Sequence, residues 1–166
     1  MILLKWSIVK KIIIGFIVVT IIFSLDRISK ISIINIVNET GKIDINLNAF
    51  LNLYLVWNKG IGFGLLSFDE KSTYDIITFV ILIINLIIIY LIYIEKSGKI
   101  YFLFAILGGS FGNLFDRIYY NAVPDFIDIN YKGYHWFIFN VADIFITVGI
   151  LCLIFSEMLN YKKSKW

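Results

Sequence analysis

One proline, one cysteine and one histidine occur in 166 residues, and only 16% of the chain is charged. Cys152 has no second cysteine with which to form a disulfide, and with His135 as the sole imidazole the chain lacks the nitrogen and sulfur ligands of a zinc or iron site. No metal is therefore expected. The formal net charge is +3, with lysines scattered among isoleucines rather than gathered in blocks, so the basic footprint of a nucleic-acid binder is missing. What fills the chain instead is hydrocarbon: 60% of the residues are hydrophobic. That is more apolar side chain than one core of this size hides from water. A bilayer must be the second solvent.

Four apolar runs approach the roughly 20 residues that a helix needs to cross a hydrocarbon core. They predict transmembrane helices over about 12–36, 74–94, 100–119 and 137–159. No small-x-small cleavage site follows the first run, so it is expected to stay as a helix rather than be removed as a secretory signal. Lysines set the orientation. Lys5, Lys10 and Lys11 precede the first run, Lys96 and Lys99 lie between the second and third, and Lys162, Lys163 and Lys165 follow the fourth. These segments are expected on the cytoplasmic side, with both termini. Between the first two runs, residues 43–57 alternate: Ile43, Ile45, Leu47, Leu51, Leu53 and Leu55 at odd positions, with Asp44, Asn46, Asn48 and Asn52 among the even ones. Period-two alternation predicts strands resting on the outer surface. No repeat or linker divides the chain.

Ionisable groups near membrane depth are costly and are functional candidates by default. Asp26, Asp116, Asp125 and Asp143 all fall at the outer ends of the runs or in the loop expected between the third and fourth. Helical spacing puts Asp26 and Lys30 on one face, Asn113, Asp116 and Arg117 on another, and Asn140 with Asp143 on a third. Two carboxylates sharing a site do not both ionise easily, which supplies a base beside an acid for peptide hydrolysis. A proton or cation pathway draws on the same acids, and structural ion pairing does too, so spacing leaves these readings open. The glycines around Ser110 suit close helix packing. Asn85 at mid-span suits an interhelical hydrogen bond, and His135 falls in an expected loop.

The ordered blocks carry a further signal. Asp26 to Lys30 (DRISK), Asn58 to Phe63 (NKGIGF), Gly108 to Arg117 (GGSFGNLFDR), Val123 to Ile127 (VPDFI) and Phe139 to Asp143 (FNVAD) resemble, in order, the motifs of the bacterial lipoprotein signal peptidases, or signal peptidase II. Pro124, Ile144, Ser110 and Phe111 depart from the usual residues, and none of them is a proposed acid. The resemblance implies one integral-membrane peptidase domain over 1–166: a mainly α protein of four transmembrane helices, with a small extracytoplasmic β-cradle and a short flap helix near 60–72. It implies Asp125 and Asp143 as a catalytic pair, with Asp26, Lys30, Asn58, Gly108, Asn113, Arg117 and Asn140 lining or supporting the site. Asp116 is expected to be structural, paired with a neighbouring base. The implied substrates are diacylglyceryl-modified prolipoproteins, cut before the modified cysteine at the extracytoplasmic face of the inner membrane. A monomer in contact with membrane lipid is expected, with no organic cofactor.

Overall fold

The structure is a computed structural model that describes residues 2–60, 71–131 and 134–163. Its elements run α1 (Ile2–Thr40), β1 (Asp44–Asn48), β2 (Leu51–Asn58), α2 (Lys71–Ile94), α3 (Ile100–Tyr120), β3 (Val123–Tyr131), β4 (Tyr134–Phe139) and α4 (Val141–Lys163). The expected flap falls largely on 61–70 and lies outside the described residues.

α1 continues beyond the expected 36 because nothing stops it before Gly41, which takes a left-handed φ of 79° and donates its N–H to the Val37 carbonyl at 2.8 Å. α1, α2 and α4 are long and apolar enough to cross a membrane, and Phe16, Phe79 and Phe155 among others stand exposed on them as lipid-facing side chains. α3 is not among those three. Its glycines and polar residues lower its hydropathy, and it can carry them because it packs against all three other helices. A Cβ at Gly108 would lie 3.2 Å from the Val19 backbone, and one at Gly109 would lie 2.5 Å from the Ala142 carbonyl oxygen. These two glycines let α1 and α4 approach α3 closely. Asn85 is buried and turns back on its own helix, donating to the Ile81 carbonyl at 2.9 Å, rather than reaching across to a neighbour.

At one end of the bundle Lys11 donates to the Lys96 carbonyl at 2.7 Å and Lys99 pairs with Glu157. The lysine-bearing segments read as cytoplasmic thus share one end. At the other end sits an antiparallel sheet in the order β1-β2-β3-β4. The segment joining α3 to α4 is therefore a hairpin and not a loop, and residues 137–139, expected in the fourth helix, belong to β4. Ile33 of α1, Ile43 and Phe126 form the buried cluster that docks the sheet on the end of α1.

One irregularity aims the sheet at its function. Leu53 pairs with Ile127, but Val56 pairs with Asp125, so β2 carries an extra residue at this point. In a regular ladder Leu55 would oppose Asp125, and Trp57 would be its next neighbour on that face. The bulge advances β2 by one residue and brings Asn58 there instead.

Candidate active site

Asn121 ends α3 in the left-handed conformation, φ 56°, that asparagine tolerates better than most residues, and turns the chain straight into β3. Asp125 follows on that strand, 3% exposed. Its Oδ2 accepts from Asn58 Nδ2 at 2.8 Å and its Oδ1 from Asn140 Nδ2 at 2.6 Å. Burial, and next the negative charge of Asp143, push the Asp125 carboxyl up to about 6 from an ordinary 3.8, against the lowering effect of the two amides.

Asp143 enters through a helix start. Asn140 precedes α4, its Oδ1 accepting the Asp143 N–H at 3.1 Å, while Asp143 Oδ2 accepts the Asn140 N–H at 3.2 Å. This reciprocal capping box satisfies two donors that the first turn would leave orphaned. The same Asn140 thus touches both aspartates. Asp143 Oδ1 accepts from Asn113 Nδ2 at 2.8 Å.

Behind Asn113 lies a buried charge cluster. Lys30 Nζ donates to Asn113 Oδ1 at 2.8 Å, Asp26 Oδ2 at 2.9 Å and Asp116 Oδ2 at 2.7 Å. Arg27 also pairs with both acids, so two cations meet two anions. Such a group is tolerated in a dry interior when its charges are paired and hydrogen-bonded. Asp116 has the structural pairing expected of it. Asp26 Oδ1 further accepts the Ala142 N–H at 3.0 Å, so an acid on α1 holds the first turn of α4.

A cavity of about 350 Å³ opens between α2, α3, α4 and the sheet, and Asn58, Asn113, Arg117, Asp125, Asn140 and Asp143 all line it. Its remaining wall is largely apolar, with Ile81 and Ile84 from α2 and Ile146 and Ile150 from α4. Asp26, Lys30 and Gly108 do not line it; the first two act from behind Asn113, and Gly108 seats α3 on α1. Arg117 is held by the Gly60 carbonyl, and its guanidinium lies 5.5 Å from the centre of the Tyr74 ring. The Tyr74 hydroxyl donates to the Arg117 carbonyl at 3.0 Å. Among the described residues Arg117 Nε and Nη1 are buried without partners, which leaves two unused donors on a residue that shares the cavity with the aspartates. Tyr74 is a supporting residue that the sequence hides: it is one of many aromatics near the start of an apolar helix. Arg27 is hidden in another way, inside the DRISK block but outside its pattern. His135 lies on β4 rather than in a loop, with Nδ1 2.7 Å from Asp128 Oδ2, and does not line the cavity. Among the described residues no three His, Cys, Asp or Glu side chains are grouped to hold a metal ion.

A family model described as signal peptidase (SPase) II matches residues 18–159. The chain belongs to the signal peptidase II family. The lipoprotein signal peptidase of Pelagibacter ubique is 46% identical over 149 residues, covering 89% of this chain and 90% of that one. The Anaplasma phagocytophilum lipoprotein signal peptidase is 36% identical over 149 residues, covering 90% and 94%. A bacterial membrane enzyme solved by the in meso method at 2.3 Å superposes with a TM-score of 0.73 at 26% identity, covering 90% of each chain. A signal peptidase II is an aspartic peptidase of the bacterial membrane that removes signal peptides from prolipoproteins. That decides between the hydrolytic reading and the proton pathway, which spacing had left open.

Proposed function

We propose that Asp125 and Asp143 are the general acid–base pair that cuts the peptide bond before the diacylglyceryl-modified cysteine of prolipoproteins. The observation that carries this reading is that both carboxylates line one cavity between apolar helices, each held by amide donors. The ionised member takes a proton from water as the water oxygen adds to the scissile carbonyl carbon, and the protonated member gives its proton to the carbonyl oxygen. As the tetrahedral intermediate collapses, the C–N bond breaks. The first carboxyl passes its proton to the leaving amine, and the second regains one from the intermediate's hydroxyl. Asn58, Asn113 and Asn140 direct their amides at the carboxylates, so their role is to orient the pair. The unpartnered Nε and Nη1 of Arg117 are the donors available to a substrate carbonyl.

The active end faces outward at the inner membrane, with both termini cytoplasmic, and the chain works as a monomer in contact with lipid. The lysines at the opposite end support that orientation. So do exposed Trp57, Tyr134 and Trp136 on the sheet, residue types suited to the headgroup region. A signal peptide is an apolar helix whose cleavage site lies at that depth, and a diacylglyceryl group keeps it there. The test is a gel-shift cleavage assay in detergent on a diacylglyceryl-modified prolipoprotein, comparing the parent with Asp125→Asn and Asp143→Asn at matched folding. Cleavage by the parent and none by either variant is expected. Near-parental turnover by one variant removes that aspartate from the mechanism.

A further inference from the structure

An ammonium group can only donate. Lys30 is 0% exposed, and its three N–H bonds go to Asp26, Asp116 and Asn113, so no water competes for them. The Asn113 atom that faces Lys30 must therefore be the amide oxygen. The amide nitrogen is then forced to the other side, onto Asp143 Oδ1 at 2.8 Å. Asn140 and Asn58 are fixed in the same manner, but by backbone: the N–H groups of Asp143 and Gly60 take their oxygens. Only Asn113 has its orientation set by an ionised side chain.

We infer that Lys30 is a positioning residue of the aspartate pair, acting through Asn113: it forces a donor onto Asp143, which makes Asp143 the standing anion and leaves the shared proton on Asp125. The inference rests on the proposed roles of these two acids and assigns the base to one of them. Asp143 receives an amide polarised by an ammonium group on one oxygen, and on the other a backbone N–H at the positive end of α4. Asp125 receives two amides with no cation behind them, and it lies on a strand. Among the described residues the charged groups near the pair are Asp26, Arg27 and Lys30 on α1 and Asp116 and Arg117 on α3, while α2 presents isoleucines and, against Arg117, Tyr74. Because Arg27 and Lys30 balance Asp26 and Asp116, the cluster acts on Asp143 through the direction of the Asn113 dipole rather than through net charge.

The test is the pH profile of kcat/KM for the full chain in detergent, using a diacylglyceryl-modified prolipopeptide. Asn113→Leu removes the donor yet leaves Lys30 with its two carboxylates, so the buried charges stay paired. Its acid limb is expected to move up by roughly one pH unit, about a tenfold loss on the acid side that recovers as pH rises. Lys30→Met made together with Asp116→Asn, which keeps the cluster's charges balanced, should displace the same limb, and adding Asn113→Leu should displace it no further than Asn113→Leu alone. A lower rate with the parental profile in Asn113→Leu would reduce Asn113 to packing and overturn the inference. Additive displacements in that combined variant would overturn it too, since Lys30 would then act directly. Neither result bears on whether Asp125→Asn and Asp143→Asn are inert, so failure of the catalytic pair is read separately.

Discussion

Gly112→Ala probes a close approach that bears on the site. A Cβ at Gly112 would stand 2.5 Å from Asp26 Oδ2 and 3.1 Å from its Cγ. Relief needs a displacement of about 1 Å, to the separation at which non-bonded atoms attract. The carboxylate has nowhere to retreat. Its Oδ2 accepts from Lys30 and Arg27 and its Oδ1 from the Ala142 N–H at 3.0 Å, so moving it breaks a charge-assisted bond and loosens the turn that presents Asp143. Overpacking plus one lost bond of that kind costs about 3–5 kcal/mol. In an Asp26→Ala background the obstruction is gone, and alanine is favoured over glycine in a helix interior by up to ~1 kcal/mol. The effect of Gly112→Ala is thus expected to change sign between the two backgrounds. Reversible unfolding in mixed detergent micelles, followed by circular dichroism, measures it. Gly98→Ala serves as the control, since nothing lies within 4 Å of its added Cβ. An equal cost of Gly112→Ala in both backgrounds would refute the packing argument.

Two further predictions concern the aspartates. Because the folded-state value of Asp125 is raised from 3.8 to about 6, the folded chain holds that proton more tightly than the unfolded one. Stability relative to Asp125→Asn should therefore fall by about 3 kcal/mol as pH rises from near 4 to near 6 and then level off; a difference that rises or stays flat over that window contradicts the assignment. Asn140 combines a cap with a contact to Asp125, and substitution can separate them. Asn140→Ser keeps a capping oxygen but loses the bond to Asp125, so turnover drops with a stability cost of about that one bond, whereas Asn140→Ala should lose turnover and a further 0.5–2 kcal/mol or so of stability. Equal stability of the two variants would show that the cap contributes nothing.

The helices were legible because a membrane span announces itself by length and composition, and the β1–β2 segment because its apolar residues alternate. β3 escaped for a physical reason: its buried positions include Asp125, Asp128 and Asn130, with Ile129 exposed, so its pattern inverts the usual one. The start of α4 was misplaced because Phe137 to Phe139 continues its apolar run without a break, although Asn140 followed by Asp143 at the capping-box spacing marks the true boundary. α1 could be read through Asp26, Arg27 and Lys30 because these charges share a helix. Their partner across the bundle is Asp116 on α3, and no spacing rule links it to them across the sequence.

The extra residue in β2 gives the site an unusual vulnerability. Exposed Tyr54 and half-buried Leu55 can change identity at modest cost, because neither lines the cavity. Inserting one residue between Leu53 and Val56 is another matter: with the bulge held at its present size it would slip the ladder by one, leave every acid in the sequence, and bring an indole up to Asp125 where the Asn58 amide now bonds. Function at this strand is set by counting rather than by composition. A library of substitutions across it would report tolerance, and a library of single-residue insertions would report the opposite.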